Sequence, residues 1–211
     1  MGWSDLFFLH ESILLCEKCR AGLQLIDSPI CPGCGRPMNE PNLCNDCVAW
    51  QTDADFGSVL RFNRSLYIYN DFLRDLIARF KYRGDYELAR IFANDLKKRL
   101  PKADYIVPIP LSQNRLLERG FNQAEAIGSV AGLTLTDGLI RIHAEKQAKK
   151  NRYQRLHSKQ VFRIHPEAPD LSDKTVVLLD DIYTTGTTLR HAAYILKVSG
   201  AKDIFSVTIA R

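Results

Sequence analysis

The opening stretch, "MGWSDLFFLHESILLC", lacks a basic n-region, and Asp5, His10 and Glu11 interrupt its apolar run. It therefore reads neither as a secretory signal nor as a transmembrane span. The expected location is the cytoplasm, with any membrane association made through partners. Absence of a secretion signal also removes the case for reading the six cysteines as a disulfide framework. Internal repeats and low-complexity tracts are missing, and so is the G-x-x-x-x-G-K-[ST] loop of P-loop nucleotide sites. There is no large charge excess: 29 Lys and Arg stand against 24 Asp and Glu, and the net +5 favours an anionic partner only weakly.

Charge is nevertheless concentrated. Residues 141–165, "RIHAEKQAKKNRYQRLHSKQVFRIH", hold four Arg and four Lys against one Glu, a surplus of +7 that leaves the rest of the chain slightly acidic. With Tyr153 and Phe162 among the cations, this segment has the composition to follow a phosphate backbone and stack bases. Lys149, Lys150 and Arg152 are the candidates for contacting single-stranded DNA.

Every cysteine belongs to a C-x-x-C pair, and none follows Cys47. "CPGCGRPMNEPNLCNDC" supplies two pairs, with Gly33 and Gly35 free to take the turns a metal knuckle needs. Cys31, Cys34, Cys44 and Cys47 are therefore assigned to one tetrahedral Zn²⁺ site. Four thiolates close the shell, so the zinc is structural. Cys16 and Cys19 have no matching fourth pair and read equally as free thiols, as small buried hydrophobes, or as ligands that exchange into this site or belong to another.

At 45% hydrophobic residues, the chain can bury the core of one α/β domain with a small cysteine-rich module over residues 1–52. "FGSVLRF" and "SLYIYN" predict two short strands around a turn at Asn63 and Arg64. Asn70 predicts a helix cap ahead of Leu73, Leu76, Ile77 and Phe80. Residues 86–99 predict a second amphipathic helix, "YIVPIP" a strand, "LSQNRLLERGFNQ" a long polar loop and "AEAIGSVAG" a helix. "TVVLL", the turn "DDIYTTGTT", the helix ending at Gly200 and the strand "DIFSVTIA" make a βαβ unit. Alternating strands and helices imply a mostly parallel sheet covered on both faces, with ligand beyond the carboxyl ends of the strands.

The loop Thr184–Thr188 opens the last helix, where backbone N–H groups, hydroxyls and the helix dipole together favour a phosphate. Asp180 and Asp181, just before it, are suited to accept hydrogen bonds from two sugar hydroxyls and to favour positive charge developing on the ring.

"VVLLDDIYTTGTTL" resembles the 5-phosphoribosyl-1-pyrophosphate (PRPP) motif of type I phosphoribosyltransferases. With "FKYRGD", "VPIPLSQNRLLERGFNQAE", the cysteine pairs and the closing "TIAR", nearly the whole chain resembles the ComF-type competence proteins. The resemblance implies a phosphoribosyltransferase-like domain over residues 53–211. Asp180 and Asp181 would hold the ribose hydroxyls, and Thr184, Thr185, Gly186, Thr187 and Thr188 the 5-phosphate. The loop after "VPIP" would hold pyrophosphate and its Mg²⁺, with Arg119, Asn122 and Gln123 as candidates. Arg115 and Lys81 are further candidates that read equally as solvated surface charges. Many members of that family carry another C-x-x-C directly after the initiator Met; its absence here argues for one zinc rather than two.

Three functions follow as expectations. The resemblance implies a protein of natural transformation that binds PRPP with Mg²⁺ and single-stranded DNA, working beside a competence helicase or membrane DNA-uptake machinery. An active phosphoribosyltransferase releasing pyrophosphate is the alternative, in which residues 141–165 would be a mobile lid over the polyanionic substrate. A module that binds PRPP without chemistry is the third.

Overall fold

The computed structural model describes residues 15–142 and 161–211. Its centre is a four-stranded parallel sheet of β1 (Asn63–Tyr67), β2 (Tyr105–Pro108), β5 (Thr175–Ile182) and β6 (Asp203–Ala210), in the order β1-β6-β5-β2. Pro108 ends β2 on an edge, where its missing N–H costs no ladder bond. A second, antiparallel pair joins β3 (Leu139–Arg141) to β4 (Phe162–Ile164).

Side-chain alternation along β5 divides the core in two. Val176 and Leu178 pack with Leu189, Ala192, Ala193 and Leu196 of α7 (Thr187–Val198), with Leu139 and Phe162, and with four buried cysteines. Val177 and Leu179 face the other way, onto α3 (Asp71–Tyr82), α4 (Ala89–Arg99) and α6 (Gln123–Val130). The expected βαβ unit is present, with β5 and β6 parallel and α7 between them; Gly200, at φ 104°, takes the left-handed turn that closes it. On α3, Asn70 caps as expected, accepting from Leu73 N at 2.9 Å, and Leu73, Leu76, Ile77 and Phe80 form its buried stripe.

Three local expectations change. No hairpin turns at Asn63 and Arg64: both lie inside β1, which pairs parallel to β6. Arg61 N and Phe62 O already bond to Ile204 O and Ser206 N, so the preceding segment runs alongside β6 instead of doubling back. Within the expected polar loop, residues 113–119 form α5 (Gln113–Arg119), started by Ser112, whose Oγ accepts from Arg115 N at 3.4 Å, and stopped by Gly120 at φ 79°. Finally, β5 runs on to Ile182, so both acids are strand residues rather than turn residues. Among the described residues no helix is long and apolar enough to cross a membrane.

Candidate functional site

Cys31, Cys34, Cys44 and Cys47 are buried, and their sulfurs lie within 4.8 Å of one another. Cys34 Sγ and Cys44 Sγ are 3.5 Å apart, close to the spacing of about 3.8 Å that Zn–S bonds of ~2.3 Å impose on a tetrahedron. The knuckle is tied by Gly35 N to Cys31 O and Cys31 N to Arg36 O, and Gly33 leaves room for Cys47: a Cβ there would sit 2.9 Å from its sulfur. Hydrogen bonding from Cys47 drives the Cys34 thiol down to about 5, while Cys47 itself is driven up by the Cys34 sulfur and by burial. Four thiols so close cannot all ionise without a cation to hold them, which is what zinc supplies. Cys16 is exposed and Cys19 half-buried, and neither belongs to this cluster.

The cluster is bonded to the sheet. Asn63 Nδ2 donates to Cys34 O (3.1 Å) and to Ser65 Oγ (2.9 Å), while its Oδ1 accepts from Ser206 Oγ (2.8 Å). Ser65 Oγ then meets Thr208 Oγ1 at 2.7 Å. All four are buried and all are satisfied, as buried polar side chains must be.

At the carboxyl end of β5, Tyr183 is buried while Thr184 and Thr185 are exposed. Gly186 takes φ 82° and starts α7 without a side chain of its own to cap the helix, and Thr187 N in the first turn donates to Thr185 Oγ1 at 3.4 Å. A side chain at Gly186 has no space: its Cβ would stand 2.2 Å from Tyr183 Oη. Thr185 Oγ1 and Thr187 Oγ1 are 2.9 Å apart. The loop, exposed at Thr184 and Thr185, thus brings hydroxyl and backbone donors to the positive end of a helix dipole.

The two acids have different surroundings. Asp181 is paired to Lys81 near the end of α3, Oδ2 to Nζ 2.5 Å, both side chains about 15% exposed. Lys81 is thus an ion-pair partner rather than a solvated surface charge. Asp180 feels the charges of both Lys81 and Arg141. Burial first, and then the Asp181 carboxylate, push Asp180 up to about 7, against the pull of the Asp181 N–H, Lys81 and Arg141. Arg141, half-buried over the Phe162 ring, is lowered by burial and by Arg115 and held up by Asp180. Because Asp181 and Lys81 are nearly buried, Lys81→Met should leave an uncompensated carboxylate and cost about 3 kcal/mol. Urea unfolding would register this as a lowered midpoint at constant slope, and adding Asp181→Asn should recover most of it.

Of the candidates after β2, Asn122 and Gln123 turn inward. Asn122 caps α6, accepting from Ala124 N (3.0 Å) and donating to Ile109 O (3.0 Å) and Glu125 Oε1 (2.9 Å). Gln123 donates to Phe121 O at 3.1 Å and accepts from Arg119 Nη1 at 2.7 Å. Both are buried, so both shape the loop from beneath. Arg119 also lies over Tyr82, with its Nε buried and without a hydrogen-bond partner; Arg115 is exposed. Lys149, Lys150 and Arg152 fall outside the described residues. Sequence reasoning did not single out Arg141 as a neighbour of Asp180, or Trp50, whose Nε1 donates to Thr185 O at 2.9 Å. Arg141 was legible only as one cation in a basic run, and Trp50 carried no signal.

Comparison with known proteins agrees with this geometry. Residues 8–48 match the double zinc ribbon domain, and residues 116–211 match the phosphoribosyl transferase domain. The chain is 39% identical to the competence protein ComFC of Bacillus subtilis, over 99% of this chain and 89% of that one. It is 32% identical to the competence protein ComFC of Streptococcus pneumoniae, over 99% and 92%. A DNA utilization protein, YhgH of Salmonella typhi, is 27% identical over 90% of this chain and 87% of its own.

Proposed function

The chain belongs to the ComFC family of competence proteins, and from that premise we propose that it binds PRPP with Mg²⁺ beyond the carboxyl ends of β5 and β6 and handles single-stranded DNA. The observation that carries the reading is the helix-opening loop Thr184–Thr188, exposed at Thr184 and Thr185, a few residues after the partly buried Asp180. The loop offers donors to the 5-phosphate and Asp180 accepts from the ribose hydroxyls. Asp181 is committed to Lys81 and positions the strand end. Arg115, Arg119 and Arg141 supply the positive charge for pyrophosphate, while Asn122 and Gln123 fix the loop they stand under. Mg²⁺ fits this anionic ligand and would neutralise the pyrophosphate. Calorimetry with PRPP and Mg²⁺ tests the reading; absence of binding by zinc-loaded protein rejects it.

Transfer of the phosphoribosyl group is the second reading, favoured by the domain match over residues 116–211. It needs no protein nucleophile, since pyrophosphate is the leaving group and the site has only to position and screen charge. Release of pyrophosphate from PRPP in the presence of bases or DNA separates transfer from binding alone.

DNA contact is assigned to Lys149, Lys150 and Arg152, and the similarity to a DNA utilization protein supports a role with DNA. Changing all three to Gln should weaken single-strand binding and reduce the salt slope by about 2, as three phosphates keep their counterions. PRPP affinity should stay the same. A loss of PRPP affinity with DNA binding intact would make the segment a substrate lid.

A further inference from the structure

Trp50 stands three residues after Cys47 on α2 (Asn45–Gln51), the helix that carries the last zinc ligand. Its indole Nε1 donates across 135 positions of sequence to the carbonyl of Thr185, at 2.9 Å, in the middle of the candidate phosphate loop. The ring is held in place. Arg190, 5% exposed in the first turn of α7, lies over it at 4.9 Å and is itself fixed by Nη1 donating to Phe56 O at 2.7 Å and Gly57 O at 3.3 Å. Phe56 meets Trp50 edge-on at 6.4 Å and stacks on His191 at 4.6 Å.

Tyr183 braces the loop from a second side. Its hydroxyl fills the space a Gly186 side chain would need, and Arg211 lies over its ring at 4.4 Å. Tyr183 also shares one buried cluster with Cys31, Cys34, Cys44 and Cys47. Both braces of the loop therefore reach the cysteine cluster, one along α2 and one through Tyr183.

The peptide unit makes the first brace directional. A trans peptide is planar, so fixing the Thr185 carbonyl toward Trp50 aims the Gly186 N–H the opposite way. Gly186 is the left-handed residue from which α7 starts, and its N–H belongs to the set that would meet a phosphate. We propose that Trp50 is a positioning residue: its indole N–H holds the Thr185–Gly186 peptide so that the loop presents its donors to the 5-phosphate, and the zinc module thereby sets the affinity of the phosphate site. The inference rests on the reading of the loop as a PRPP site. It explains why a zinc module sits against a sugar-phosphate crevice at all: it forms one wall of the phosphate loop.

Trp50→Phe removes the donor and keeps an aromatic ring beneath Arg190. PRPP should bind about tenfold more weakly, as expected for one lost hydrogen bond to a fixed backbone group. Zinc content and melting temperature should not change, and amide exchange at residues 184–188 should quicken without ligand. Trp3 is the only other tryptophan. In a Trp3→Phe protein, Trp50 emission should therefore respond to PRPP and, at higher concentration, to inorganic phosphate. If wild type binds PRPP and Trp50→Phe binds it equally well, the role of Trp50 is overturned and the PRPP reading stands. Weaker binding accompanied by lost zinc or a lowered melting temperature would mark Trp50 as merely structural and overturn the proposal too. Wild-type protein that binds no PRPP overturns the reading of the site and this inference with it.

Discussion

Asp180→Asn should weaken PRPP binding by about a hundredfold or more while raising the melting temperature at pH 8. The affinity loss follows from replacing a carboxylate that accepts from two ribose hydroxyls, each charge-assisted bond contributing about 1.5–3 kcal/mol. The stability gain follows from burial. Asp180 titrates near 7 in the folded protein against 3.8 without its surroundings. Below pH 4 the carboxyl is neutral in both states and costs nothing. Between pH 4 and 7 the folded state holds a proton that the unfolded chain has lost, so stability falls as pH rises; above 7 the full cost of a buried charge is present. Asparagine carries no such cost. Its stabilising effect should be largest at pH 8, shrink as pH drops through 7 and be nearly gone by pH 4, as followed by thermal melts. Undiminished PRPP binding by this variant would remove the carboxylate from the site, and a melting temperature lowered at pH 8 would remove the argument from burial.

Asp181→Asn should behave differently, because it strands Lys81 without its partner. That asymmetry was not legible in the sequence, where two adjacent acids before a threonine turn read as an equivalent pair. β5 continues through both to Ile182, and what distinguishes them comes from their surroundings: Lys81 of α3 pairs with Asp181, while burial and the Asp181 carboxylate raise Asp180.

The cysteine site and the terminal βαβ unit were legible because each is written locally: C-x-x-C spacing limits what four thiolates can grip, and an apolar run into a Gly-Thr helix start allows few conformations. What failed to read was long-range. "FGSVLRF" has strand composition, but its Phe56 is engaged with Arg190, His191 and Trp50, more than 130 residues away or on a different element. Asn122 and Gln123 were candidates through the family resemblance alone; the fold shows what the sequence did not, that Asn122 caps α6 and that both side chains are buried. Trp50 could not be found by pattern, since its partner is a backbone carbonyl with no side-chain signature.

Loss of zinc should be felt throughout the fold, not in the module alone. Cys31, Cys34, Cys44 and Cys47 share one buried cluster with Val176 and Leu178 of β5 and with Leu189, Ala192 and Leu196 of α7. Through Asn63 the knuckle is bonded to Ser65 and Ser206 inside the sheet. Structural zinc contributes about 10–16 kcal/mol of binding free energy in small zinc-finger peptides, as much as or more than the whole stability of a typical domain. Cys31→Ser or Cys44→Ser should therefore abolish the bound zinc, about one ion per chain, and turn a cooperative melt into a broad one or none. Cys16→Ser should keep its zinc and its melt, because Cys16 is exposed and outside the cluster. Atomic emission and thermal melts on the same samples check both outcomes. Equal zinc loss from Cys16→Ser would mean the ligand set includes the first pair. Zinc loss from Cys31→Ser with an unchanged melt would mean that the shared core holds without the metal, and that the knuckle's bonds to Asn63 suffice to seat the module against the sheet.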